Sequence, residues 1–122
     1  MRLRCLIVDD NEAFLASASR LLESQGAAVV GRATSSDEAL RLTATLSPNV
    51  VLVDIQLGDE DGLELTRRLS SQAPAPLVVL ISTRSADEVL ELLDGSPAIG
   101  FLPKKELGAG AIGALLDQRA PR

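Results

Sequence analysis

The chain has 122 residues and a net charge of −5, with hydrophobic residues at 46% and charged residues at 24%. That length suits one domain with one core, and the composition excludes disordered and fibrous classes. An acidic chain lacks the basic footprint that nucleic-acid phosphates require, and with no His and only Cys5 it excludes a zinc site, a Ser-His-Asp triad and a Cys-His dyad. The lone Cys5 forms no intramolecular disulfide, which suits a reducing compartment. The first apolar run, Cys5 to Val8, ends in Asp9-Asp10 and is too short for a signal-peptide core. The longest uncharged stretch, Leu69 to Thr83, is too short and polar to span a bilayer. A soluble, cytoplasmic protein with no direct contact to nucleic acid or membrane is expected.

Apolar runs rich in Val, Ile and Leu fall at residues 4–8, 27–31, 50–53, 77–81 and 98–102. Near-continuous apolar character suits parallel strands covered on both faces. Helical periodicity fills the intervals. Phe14, Leu15, Ala18, Leu21 and Leu22 make one stripe, followed by a looser set at Leu40, Leu42, Ala44 and Leu46. Leu63, Leu65, Thr66 and Leu69 mark a third helix, and Val89, Leu90, Leu92 and Leu93 a fourth. Ser35-x-x-Glu38 and Ser85-x-x-Glu88 read as capping boxes, while Gly26 and Asp94-Gly95 read as helix stops. In the last helical stretch Gly108, Gly110 and Gly113 each cost about 1 kcal/mol relative to Ala, so the helix is expected to begin near Ala111. Its packing residues are Ile112, Leu115 and Leu116, and residues 117–122 read as a tail. Residues 1–122 thus read as a single domain with its core at about 4–116.

Five strand–helix units joined by right-handed crossovers predict a doubly wound five-stranded parallel sheet, (βα)5, of order 2-1-3-4-5. In such a fold the functional crevice lies beyond the carboxyl ends of the strands. Strand 1 ends in Asp9-Asp10, strand 3 in Asp54, strand 4 in Ser82-Thr83, and strand 5 in Pro103-Lys104-Lys105. Three carboxylates near one ammonium leave a local charge of −2, and two carboxylates 4 Å apart repel by about 4 kcal/mol at an effective dielectric near 20. A hard divalent cation that takes oxygen ligands, Mg²⁺ by preference, cancels that charge. Without one, at least one acid is expected to hold its proton more tightly than usual. Each residue alone has an ordinary explanation: Asp10 or Asn11 as a helix cap, Asp54 as a turn residue, Ser82 as a loop hydroxyl, Lys104 as a solvated charge. Their convergence on four strand ends is what singles them out.

The segments Leu6-Ile7-Val8-Asp9-Asp10-Asn11, Val51-Leu52-Val53-Asp54-Ile55, Asp61-Gly62, Leu80-Ile81-Ser82 and Gly100-Phe101-Leu102-Pro103-Lys104 resemble the receiver (CheY-like) domain of two-component response regulators. The spacings, 28 residues from Asp54 to Ser82 and 22 from Ser82 to Lys104, fit that pattern. The Gly-Phe-Leu-Pro-Lys stretch is similar to receivers of LuxR/NarL-type regulators. The resemblance implies a flavodoxin-like receiver fold in which Asp54 accepts a phosphoryl group from a sensor histidine kinase or phosphotransfer protein. It implies Mg²⁺ bound by Asp10, with Asp9, Asp54 and the Gln56 backbone carbonyl completing the site. Lys104 would contact the phosphoryl oxygens, Ser82 would bond the new group, and Phe101 would swing to alter the face of helix 4, strand 5 and helix 5, a candidate homodimer surface. The implied protein is a phosphoacceptor that assists its own phosphorylation and slow dephosphorylation, with no turnover of a separate substrate.

Departures from the family pattern bear on that reading. Gly58 stands where Pro is usual, which predicts a more mobile loop. Thr83 is bulkier than the usual small residue, which predicts narrowed access to Asp54. Pro103 precedes Lys104 and Lys105 follows it, so the family's Lys-Pro cis bond has no counterpart and a trans bond is expected. A haloacid-dehalogenase-type phosphohydrolase would need a second Asp where Gln56 stands. A flavin-binding flavodoxin would need an aromatic stacking partner, and the chain has no Trp or Tyr. Two readings stay open beside the phosphoacceptor: a phosphorylation-independent interaction domain, and the receiver portion of a longer DNA-binding regulator.

Overall fold

Every residue of Val50–Asp54 is buried, as a central strand covered on both faces requires. In the computed structural model, which describes residues 2–119, this strand (β3) lies at the middle of a five-stranded parallel sheet. It pairs with β1 (Arg4–Val8) on one side and β6 (Leu77–Ser82) on the other. Outside them lie β2 (Ala28–Ala33) and β7 (Gly100–Pro103). The order β2-β1-β3-β6-β7 is the predicted one, with two small strands, β4 (Gln56–Leu57) and β5 (Glu60–Asp61), forming a separate antiparallel pair. That pair has no apolar run to announce it.

The sheet separates two apolar layers. Cys5, Ile7, Leu52, Val79 and Ile81 point to the side of α1 (Glu12–Ser24) and α5 (Ala109–Arg119). Leu6, Val8, Val51, Val53 and Leu80 point to the side of α2 (Ser36–Leu46), α3 (Gly62–Ser70) and α4 (Ala86–Leu93). Alternate residues of β1, β3 and β6 serve opposite layers, because successive Cβ atoms leave a strand on opposite faces.

Several boundaries and faces differ from the sequence reading. β2 runs two residues past residue 31, because a bulge between Cys5 and Leu6 skips Val30 and lets Ala33 pair with Val8. The buried face of α2 is Ser36, Ala39 and Thr43, with Leu40 and Leu42 half-buried and Ala44 exposed. Small residues bring this helix close to the sheet, where Gly31 leaves room for Leu46 and Leu6. On α4 only Val89 is buried, while Leu90 is 61% and Leu92 39% exposed. The expected start of the last helix near Ala111 is corrected to Ala109. There the amide oxygen of Gln25, at the end of α1, accepts the Ala109 N–H at 2.6 Å and satisfies a first-turn donor from 84 residues away. Residues 117–119, read as tail, continue the helix, and 120–122 lie outside the described residues.

Caps follow the sequence more closely. Asn11 caps α1 by accepting the Phe14 N–H at 3.1 Å. Ser85 and Glu88 form the reciprocal box on α4. At α2 the box is displaced: Ser35 Oγ accepts the Glu38 N–H, but Glu38 reaches the N–H of Thr34. The N–H of Ser36 goes instead to Glu60 Oε1 at 2.9 Å, which pins the β4–β5 hairpin to α2. No helix among the described residues is long and apolar enough to cross a membrane.

Candidate functional site

Parallel pairing sets β1, β3, β6 and β7 side by side, so that their carboxyl ends open into one cleft of about 340 Å³. Asp9, Asp10, Asp54, Gln56, Ser82, Thr83 and Lys104 all line it. Phe101 does not. It sits on β7 opposite Leu80, half-buried against the α2–α4 layer. The larger cavity, about 390 Å³ between Leu3, Gln25 and α5, carries one acid, Asp117, and no comparable cluster.

Asp9 is wholly buried, and Asp54 is nearly so at 8% exposure, whereas Asp10 faces solvent. Lys104 bridges the two buried acids, with Nζ 2.6 Å from Asp9 Oδ2 and 3.2 Å from Asp54 Oδ2. The outer oxygens are held by the backbone: the Asn11 N–H donates to Asp9 Oδ1 at 2.9 Å, and the Gln56 N–H to Asp54 Oδ1 at 3.3 Å. Burial raises the Asp54 carboxyl above its usual range and the Asp9 charge adds to this, against the opposing pull of Lys104 and the Gln56 N–H. The direction is the one expected of an acid in this cluster without a cation. Burial alone would lower Lys104, but the close ion pair with Asp9 and the charge of Asp54 outweigh that and hold the ammonium above its ordinary value.

The donor set fits a hard divalent cation. One oxygen from each of Asp9, Asp10 and Asp54 lies within 4.8 Å of the others. Asp9 Oδ2 is buried and receives charge from Lys104 but no well-directed hydrogen bond, leaving acceptor capacity aimed into the cleft. All-oxygen ligation of this kind suits Mg²⁺.

Two glycines shape the turns behind the cleft. Gly58 and Asp59 join β4 to β5 as a two-residue hairpin turn, and Gly58 has φ +59. Proline, fixed near φ −65, has no place there. The segment after Asp54 is therefore a paired hairpin with Gly58 at its turn. Of the described glycines, Gly62 has the least room: a Cβ on it would overlap the Asp54 carbonyl oxygen. The N–H of Gly62 donates to Ile55 O at 2.8 Å, locking α3 against the end of β3. Ser82 is buried and its Oγ accepts the Arg84 N–H at 3.1 Å, leaving its own proton free to donate, while Thr83 is exposed at the rim. Among the described residues the only cis bond is Ala73–Pro74, so Lys104–Lys105 is trans as expected.

Three contributors escaped the sequence reading. Phe14 brings its ring to 4.4 Å from Lys104 Nζ, Arg84 lines the cleft, and Glu60 fixes the hairpin. Phe14 had registered only as part of the α1 apolar stripe, and no local signal tells such a residue from core.

A doubly wound sheet of order 2-1-3-4-5, with an acidic triad and a lysine at its carboxyl edge, defines a receiver-type α/β domain. The chain belongs to the response regulator receiver domain family, whose model matches residues 5–112. It is 35% identical over 109 residues to the response regulator GacA of Pseudomonas viridiflava, across 88% of this chain and 50% of that protein. It is 32% identical over 108 residues to a protein-glutamate methylesterase/protein-glutamine glutaminase of Pseudoalteromonas atlantica, across 86% of this chain and 28% of that one. The chain thus spans half or less of the length of these curated relatives. The signal receiver domain of the response regulator NarL from Mycobacterium tuberculosis superposes with a TM-score of 0.79 at 29% identity, covering 99% of this chain and 98% of that one.

Proposed function

We propose that this chain, as one receiver domain over residues 1–122, accepts a phosphoryl group on Asp54 from a sensor histidine kinase or phosphotransfer protein. The observation that carries the reading is the Asp54 carboxylate at a strand end, 3.2 Å from the Lys104 ammonium and within 4.8 Å of two further acids. In the transfer an Asp54 oxygen attacks phosphorus, the phosphorus–nitrogen bond of the donor phosphohistidine breaks, and the departing imidazole keeps the electron pair and takes up a proton. Lys104 moves its charge from Asp9 toward the phosphoryl oxygens. Ser82 donates its free hydroxyl proton to one of them. Asp9, Asp10, Asp54 and the Gln56 carbonyl would hold Mg²⁺, which when bound supplies charge neutralisation for the transferred group. Phosphorylation takes Asp54 from −1 to about −2, a change large enough to draw the β6–α4 loop inward.

Phe101 then reports the change at the surface formed by α4, β7 and α5. Exposed Leu90 and Leu92 on α4 support a role for this face in partner or homodimer contact. Thr83 at the rim modulates donor access. The domain works in the cytoplasm, turns over no separate substrate, and leaves any contact with nucleic acid to other parts of a regulator. The test is intact mass after incubation with phosphoramidate or acetyl phosphate and Mg²⁺. One phosphoryl adduct, lost in Asp54→Ala and with a chelator, is expected. Absence of any adduct, in Thr83→Ala as well, would instead support the phosphorylation-independent reading.

A further inference from the structure

The Lys104 ammonium has three hydrogens to place and three neighbours: Asp9 Oδ2 at 2.6 Å, Asp54 Oδ2 at 3.2 Å, and the Phe14 ring centroid at 4.4 Å. The two carboxylates are unequal, since the wholly buried Asp9 is the closer and would hold the lysine by itself. The third neighbour is uncharged, so its attraction persists when either acid is neutralised or consumed. Its position is set by the same turn that supplies the acids. Asp9 Oδ1 accepts the Asn11 N–H at 2.9 Å, and Asn11 Oδ1 accepts the Phe14 N–H at 3.1 Å. Asp9, the α1 cap and the Phe14 backbone are therefore linked through consecutive hydrogen bonds. Phe14 is half-buried, and Lys104 is only 15% exposed at its side chain, a setting in which water competes poorly for the ammonium.

We propose that Phe14 is a positioning residue: the face of its ring seats the Lys104 ammonium between the two acids, so that it keeps its reach to Asp54 instead of passing to Asp9 alone. The inference rests on the reading of Asp54 as phosphoacceptor but names a residue outside the acid, hydroxyl and lysine set. An aliphatic side chain of similar bulk fills the same space and offers no such seat.

Phe14→Leu and Phe14→Tyr separate the two roles, with urea midpoints to confirm that both fold. Phosphorylation by phosphoramidate and Mg²⁺, followed by intact mass, should slow about ten-fold in Phe14→Leu and stay near wild type in Phe14→Tyr. A second readout needs no phosphorylation. The chain has only two lysines, Lys104 and Lys105, so a ¹³C-lysine spectrum resolves both. The ε-methylene protons of Lys104 should be shifted upfield by the ring in wild type and Phe14→Tyr, and should move to the Lys105 position in Phe14→Leu. A wild-type rate in Phe14→Leu, equal slowing in both variants, or no upfield shift in wild type would each overturn the proposal. A wild-type chain that takes no phosphoryl group overturns the reading of the site instead, and the lysine spectrum then decides alone whether the ring holds the ammonium.

Discussion

Replacing Gly62 by Ala tests how the end of β3 is held. A Cβ there would lie 2.8 Å from Ile55 O and 2.9 Å from the Asp54 carbonyl carbon, and would overlap Asp54 O. Ordinary contact begins near 3.4 Å, so α3 and β3 must part by about 1.5 Å to clear Asp54 O. No flexible side chain is available to give way, because all three atoms are backbone. The Gly62–Ile55 hydrogen bond stretches or breaks, and the neighbouring Ile55 N–H bond to Ile81 O at 3.0 Å resists the shift. Overpacking of about 1–3 kcal/mol and a lost hydrogen bond of about 1 kcal/mol together give about 2–4 kcal/mol. At about 4 °C per kcal/mol for a domain of this size, the thermal midpoint should fall by about 8–16 °C. Since Asp54 itself is displaced, phosphoryl acceptance measured below the midpoint should drop by about 100-fold. Gly110→Ala is the control: nothing lies within 4 Å of its built Cβ and the site is an exposed helix, so the variant should gain up to about 1 kcal/mol. A Gly62→Ala protein that melts within a degree or two of wild type, with an unchanged phosphorylation rate, would refute the close approach and the argument built on it.

Lys104→Met leaves the buried Asp9 and Asp54 charges facing each other unpaired; urea titration should show a loss of about 2–4 kcal/mol in chelator, less than for a sealed pair because Asp54 is 12% exposed at its side chain. Millimolar Mg²⁺ should recover most of that loss, and equal midpoints with and without it would argue against cation binding by these acids. Thr83→Ala, at an exposed rim position, should speed phosphorylation by acetyl phosphate several-fold with no change in urea midpoint; an unchanged rate removes Thr83 as an access control. Burial pushes the Cys5 thiol from 9.0 up to about 11, so the unfolded chain ionises first as pH rises. Stability present below pH 9 should therefore be lost between about pH 9 and 11 at about 1.4 kcal/mol per unit, a slope that Cys5→Ala should lack when urea midpoints are compared across that range.

The strand order, the two apolar layers and the convergence of Asp9, Asp10, Asp54, Ser82 and Lys104 were all legible in the chain. Aliphatic runs and helix stops report on local burial, and strand-end chemistry follows from topology. Other features depended on distant partners. Ala109 starts α5 because Gln25 happens to lie beneath it, which overrides the poor propensity of a glycine-rich helix. Leu90 and Leu92 look like core by period yet face solvent, because α4 is short and anchors through buried Val89 and half-buried Leu93.

At the site, sequence determined which groups are present, since a carboxylate, a hydroxyl and an ammonium are chemistry wherever they stand. Tertiary structure decided which acid is buried, which oxygen Lys104 meets, and that an α1 phenylalanine faces its charge. The physical reason is range. Hydrophobic periodicity and capping act within a few residues, whereas the electrostatics of Asp54 depend on groups up to 50 residues away that the sheet alone brings within hydrogen-bond distance.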